Sequence, residues 1–85
     1  MKLLDERAKT HGDYLITSKI TQRIKNMIRN SPAYPDMSER QCESLDMIAM
    51  KMARIMSGDP SEPDHWQDIA GYALLAVKQH EDGAT

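Results

Sequence analysis

The stretch Asp64-His65-Trp66-Gln67-Asp68-Ile69-Ala70-Gly71-Tyr72-Ala73-Leu74-Leu75-Ala76-Val77-Lys78-Gln79 decides the fold. It contains no proline, and its apolar residues recur at spacings of three and four, the period of an α-helix. At about 100° per residue, Trp66, Ile69, Ala70, Ala73, Ala76 and Val77 share one side and read as a core stripe. The opposite side carries Asp64, Asp68, Gly71 and Leu75. A glycine inside a helix costs about 1 kcal/mol relative to alanine. Gly71 therefore predicts something that approaches the backbone closely. Two aspartates one turn apart repel each other on an isolated helix. A cation, a ligand's donor groups, or basic side chains from another helix or subunit would relieve that repulsion. Both sides of this helix, over 64–79, are thus expected to be covered.

Working back along the chain, Gly58, Pro60 and Pro63 mark a break. Before it lies a second helix, over 39–56. Ser38 with Gln41 three residues on is a capping box, and Glu39 suits the first-turn dipole. Gly58 fits the C′ position and Pro60 blocks continuation. Its stripe is Cys42, Leu45, Ala49, Met52, Ala53 and Met56, widened by Ile48 and Ile55; Met47 and Met50 lie on the other side. A helix this apolar all round is expected to be central or at a subunit interface. Asp46, at the stripe's edge, should be half-buried.

A further break at Asn30–Asp36 separates off a first main helix, over 13–29. There Ile16, Ile20, Ile24, Met27 and Ile28 form one stripe, with Lys19, Arg23, Lys25 and Arg29 as its basic side. Leu3–Lys9 reads as a short N-terminal helix. Thr10 and Asp13 have capping-box spacing, and Asp13 could itself be an N-cap. Nothing reads as a strand, since alternating β-branched runs and phenylalanine are absent. The expectation is an all-α single domain over 1–85: a compact bundle of three main helices plus a short N-terminal helix, completed by oligomerisation. Residues 80–85 read as a frayed polar tail.

Composition narrows the function classes. A chain of 85 residues buries only about 60–65% of its unfolded surface and is marginal alone. Cys42 is the only cysteine, so there is no disulfide framework, and His11, His65 and His80 lack zinc spacing. Oligomerisation is the remaining route to extra core, so a homo-oligomer is expected. A formal charge of −2 and a pI near 5.8 argue against direct binding of duplex nucleic acid. The longest apolar stretches are too short to cross a bilayer, so no membrane association is expected. Met1-Lys2-Leu3-Leu4 runs straight into Asp5 and Glu6, unlike a signal peptide. An unpaired cysteine and seven methionines fit a reducing cytoplasm.

The candidate chemistry lies in a few charged residues. Hard cations such as Mg²⁺ take oxygen ligands, usually one or two carboxylates with water and substrate phosphate. Asp64 and Asp68, at i and i+4, could share one ion, with Asp46 joining from the preceding helix. The plainer alternative makes Asp64 a cap and Asp68 a salt-bridge partner of a lysine or arginine. Lys51 and Arg54 point away from their helix's core stripe and could hold phosphate, the guanidinium as a bidentate fork; otherwise they are a solvated face. His11-Gly12-Asp13 forms a turn before a helix N-terminus, which can bind anions, and His11 could donate a hydrogen bond or act as a general base. The alternative is a simple turn and cap. Tyr72 could stack on a base, or be a buried tyrosine with one bonded hydroxyl. No nucleophile elbow, P-loop or triad is present, and Cys42 reads as a small apolar filler.

Three ordered blocks carry a resemblance: Lys9-Thr10-His11-Gly12-Asp13-Tyr14, then Leu45-Asp46-Met47-Ile48-Ala49-Met50-Lys51-Met52-Ala53-Arg54-Ile55, then Asp64-His65-Trp66-Gln67-Asp68-Ile69-Ala70-Gly71-Tyr72-Ala73. Together, over about residues 6–77, they resemble a small phage and prophage family catalogued as a domain of unknown function. That resemblance implies a bacteriophage or prophage origin and a bacterial cytoplasm. A looser similarity runs to the all-α nucleotide pyrophosphatases of the MazG and dimeric dUTPase kind, which bind Mg²⁺ with acidic residues on packed helices. Asp68 with Gly71 and Tyr72 is similar to their late element, and Asp46 to an earlier one. Their E-x-x-E helix is missing, since Glu39 and Glu43 stand at the wrong spacing. The charged constellation and the resemblance together give the expectation of a nucleotide-type ligand at His11, Asp13, Lys51, Arg54, Asp68 and Tyr72, with Mg²⁺ at Asp46, Asp64 and Asp68. Any activity would be that of a Mg-dependent nucleotide pyrophosphohydrolase, diminished by the missing ligands. The alternative expectation is a non-enzymatic phage protein that binds and inhibits a host defence protein.

Overall fold

The computed structural model describes residues 2–84, with side chains for 3–6, 8, 9 and 11–78. It contains four α-helices: α1 (Lys2–His11), α2 (Tyr14–Arg29), α3 (Glu39–Ser57) and α4 (Pro63–Ala84). One 3-10 turn, Tyr34–Asp36, bridges α2 and α3. The described residues contain no strand, and the all-α bundle follows as the sequence predicts.

The helix starts follow local chemistry. The Asp13 carboxylate accepts the Leu15 N–H at 2.8 Å and caps α2. Thr10 lies within α1, and its expected capping contact falls on a side chain outside the described residues. At α3 the Ser38 hydroxyl accepts the Gln41 N–H at 3.1 Å, and the Gln41 side chain accepts the Ser38 N–H at 2.9 Å. Both bonds of the capping box are therefore made. Ser38→Ala should cost about 1 kcal/mol, read as a lower urea midpoint at unchanged slope; an unchanged midpoint would show the cap to be idle. Gly58 ends α3 with φ −116°, its N–H bonded to the Arg54 carbonyl, so it does not take the left-handed conformation of a C′ glycine. Pro63 is the first residue of α4, where its missing N–H costs nothing. The end of α4 differs from expectation. The helix continues to Ala84 instead of fading after Gln79, because no proline or glycine interrupts it before Gly83.

α3 packs between α2 and α4, the central place its apolar circumference predicts, and runs antiparallel to both. Its last residue, Ser57, meets Thr17 in the first turns of α2, and Lys51 meets Asp68 early in α4. The buried apolar core is small. Among the described residues only Ala49 and Ala53 are fully buried aliphatics, and Thr17, Thr21, Ser44 and His65 join them. Asp46 is half-buried, as its position on α3 predicts.

Of the expected core stripe of α4, only Ile69 and Ala76 lie on its packed side. His65 is buried, and Ile69, Tyr72 and Ala76 are half-buried. Trp66, Ala70, Ala73 and Val77 are exposed, each one residue further on and so about 100° round the helix. Trp66 is 55% exposed and donates its indole N–H to the Pro60 carbonyl at 2.8 Å. On α2 the expected stripe holds in part: Ile20, Ile24 and Ile28 are half-buried beside the buried Thr17 and Thr21, while Ile16 and Met27 are exposed. Hydrophobic periodicity fixes where an apolar stripe lies on a helix; polar contacts decide here which side meets α3.

Candidate functional site

The second expectation for α4, a covered acidic side, also needs correction. Nothing lies within 4 Å of a Cβ built on Gly71. Leu75 is 51% exposed and Asp64 is exposed. Among the described residues, this side of α4 is open. The close backbone approach occurs at Gly12 instead. Gly12 has φ +81°, and a Cβ there would overlap the Ser57 hydroxyl and backbone. Only glycine takes this conformation without strain and admits α3 so near.

Around that contact, α1, α3 and α4 bring several candidates together. The Thr17 and Ser57 hydroxyls lie 2.7 Å apart. Carbonyl acceptors of His11 and Asp13 stand 3.1 and 2.9 Å from the Thr17 oxygen, and the Ala53 carbonyl 2.7 Å from that of Ser57. These bonds lock the 11–13 turn onto the end of α3. The turn in turn sets the His11 ring edge-on to His65, with centroids 4.9 Å apart and planes at 71°. One turn beyond His65, Asp68 accepts a charge-assisted bond from Lys51 Nζ at 2.8 Å. The Lys51 side chain is only 12% exposed and that of Asp68 46%. The Lys51 bond holds the Asp68 carboxyl below the usual carboxylate range; partial burial opposes this, and the Lys51 charge, His65 and Arg54 add to the lowering.

The sign of that shift gives a pH prediction. A carboxyl whose folded value lies below its unfolded value stabilises the fold fully above about pH 4, and loses the contribution as pH falls through the folded value. The Tm advantage of wild type over Asp68→Asn should therefore shrink below about pH 4. It should be small, because the Asp68 side chain is 46% exposed. A difference that stays constant down to pH 2.5 would show that the pair does not shift the carboxyl.

Of the sequence candidates, His11, Lys51, Arg54 and Asp68 gather at this junction, and Tyr72 is half-buried one turn beyond Asp68. Asp13 is occupied as the α2 cap. The carboxylates proposed for a metal are spread out. Asp46 lines a separate groove of about 410 Å³ with Tyr34, Pro35, Met37, Glu39, Cys42 and Glu43. Asp64 sits exposed at the start of α4, its N–H donating to the Glu62 carboxylate at 3.4 Å. Among the described residues no group of three or more His, Cys, Asp or Glu is placed to hold a metal ion. Asp64 and Asp68 remain one turn apart on α4, and Asp46 lines a different groove. His65 is the residue the sequence reading passed over. Its signal was the stripe His65-Ile69-Tyr72-Ala76, which has the same spacing as the more apolar stripe beside it.

The chain belongs to the family described as Domain of unknown function (DUF6378), whose match covers residues 2–80. No curated protein and no solved structure matches it. Among the described residues no helix is long and apolar enough to cross a membrane.

Proposed function

We propose that this chain is a phage or prophage accessory protein that works as a homo-oligomer and binds a nucleotide or nucleotide-derived ligand at the junction of α1, α3 and α4. The observation that carries the reading is the Lys51–Asp68 ion pair, with Arg54 and His65 near enough to act on the same carboxylate and His11 edge-on to His65. The two cations Lys51 and Arg54 suit phosphate oxygens, with arginine able to bind two at once. A phosphate would take over Lys51 from Asp68, freeing that carboxylate to accept hydrogen bonds from a sugar or base. Tyr72 is one turn away, within the reach of a stacked base. Mg²⁺ enters this reading only as an ion carried in on the phosphates. With the carboxylates dispersed, the reading is of binding, and no hydrolytic step is derived.

The test is isothermal titration and thermal shift with nucleoside mono-, di- and triphosphates and cyclic dinucleotides, each with and without Mg²⁺. At least one class should bind and raise Tm in proportion to its saturation. Lys51→Met should weaken that binding at least about tenfold, the loss of one charge-assisted bond. No heat and no shift across the panel would defeat the reading.

A further inference from the structure

One buried hydroxyl has no use inside the described chain. A serine or threonine within a helix commonly turns its hydroxyl back to the carbonyl four residues earlier. Thr17, Thr21 and Ser57 do so, at 2.9, 2.8 and 2.7 Å. Ser44 lies within α3 and is only 5% exposed, yet its hydroxyl has no hydrogen-bond partner among the described residues. Polar side-chain atoms wholly cut off from solvent all have partners here, so the Ser44 oxygen is the part of the residue that stays open. It opens into the groove of about 520 Å³ that Ser44 lines between α3 and α4. The groove exists because Ser44, Ala73 and Ala76 are small where the two helices meet; Leu45 and Ile48 add apolar walls. Asp36 lines the rim. It is exposed and has no ion-pair partner among the described residues. A polar group this deep without a bond weakens the fold, and serine is a poorer helix former than alanine. Ser44 is therefore unfavourable for stability and placed to bond something that enters the groove.

We propose that this groove binds a small organic cation, with an apolar body between α3 and α4, a polar group on the Ser44 hydroxyl and an ammonium beside Asp36. Its volume falls within the range of small-molecule pockets, about 300–1,000 Å³, which are mostly apolar with a few placed polar groups. Two observations choose the occupant. A purely apolar cover would seal the Ser44 hydroxyl without a bond, so the occupant brings a polar group of its own. The unpaired carboxylate at the rim attracts a cation and repels an anion. The site shares no lining residue with the Lys51–Asp68 junction, and it does not depend on the nucleotide reading.

Tyramine, a phenol that carries an ammonium, is the probe. On titration into ¹⁵N-labelled protein, the amides of Gln41, Ser44, Ile48 and Ala76 should shift and saturate. Phenethylamine lacks the phenol hydroxyl and should bind about three- to tenfold more weakly. Para-ethylphenol lacks the ammonium and should bind about two- to fivefold more weakly, and para-hydroxyphenylpropionate, with the charge reversed, more weakly still. Ser44→Ala should equalise tyramine and phenethylamine without lowering the Tm of the free protein. Asp36→Asn should equalise tyramine and para-ethylphenol. Ala73→Leu, at an exposed position, should abolish tyramine binding with helicity retained by circular dichroism. Equal affinity for all four probes, no saturable shift with tyramine, or a lower Tm for free Ser44→Ala would overturn the proposal. So would shifts of the same amides that grow with protein concentration in the absence of any probe, because a second copy would then fill the groove.

Discussion

Gly12→Ala should be the most damaging single-methyl change in this protein, and Gly71→Ala should stabilise it. At Gly12 a side chain meets two penalties. The left-handed backbone, φ +81°, costs an L-residue about 1–2 kcal/mol. The added Cβ overlaps Ser57 backbone atoms, and overpacking of this kind costs about 1–3 kcal/mol. The sum, about 3 kcal/mol, is a large share of the stability of so small a domain. At about 4–8 °C per kcal/mol, Tm should fall by roughly 10–20 °C. Gly71 is helical, exposed and surrounded by open space. Its replacement gains about 1 kcal/mol of helix propensity and should raise Tm by about 4–8 °C. Differential scanning calorimetry of the pair is the check. Gly12→Ala within 2 °C of wild type would mean that the α1–α2 turn does not dock on α3 as described.

Ala53→Leu should be nearly as costly. Ala53 is fully buried, and its carbonyl accepts the Ser57 hydroxyl that ties α3 to Thr17. Three extra carbons there must separate α2 from α3 or force an eclipsed rotamer, at about 2–3 kcal/mol. Separation would also loosen the Thr17–Ser57 contact, so the effects of Ala53→Leu and Thr17→Val should not add. Met56→Leu, close by and 63% exposed, should change stability by less than about 0.5 kcal/mol. Urea titration separates these outcomes. If Ala53→Leu proved neutral, α2 and α3 would not be in the close contact that a pair of buried alanines implies.

The sequence made the helix starts legible, because caps are local. Ser38 and Gln41 need only each other, and Asp13 needs only the N–H two residues on. The helical period was equally legible. Which stripe packs against α3 was not, because the choice rests on contacts between distant residues. Lys51 reaches Asp68 across 17 positions, and Thr17 reaches Ser57 across 40. These polar bonds draw the His65–Asp68 edge of α4 inward and leave the more apolar Trp66–Val77 edge outside. Gly71 misled for a related reason. A helical glycine signals close approach only if something approaches, and the glycine that does serve this purpose, Gly12, lies in a turn. Of the candidate site, Lys51 and Arg54 were recognisable as cations off the core stripe, Asp68 by its spacing to Asp64, and His11 by its place in a turn before a helix. His65 was hidden because its stripe is less apolar than the Trp66–Val77 stripe beside it.

The central claim is the proposed one, that a nucleotide-type ligand binds where Lys51, Arg54 and Asp68 meet. Backbone amide shifts on titrating the best-binding nucleotide into ¹⁵N-labelled protein test it most directly. The account predicts the largest shifts at Lys51, Arg54, His65 and Asp68, with Leu45, Met52 and Val77 little changed. Shifts concentrated on Leu45, Met52 and Val77, with Lys51 and Asp68 unmoved, would contradict it.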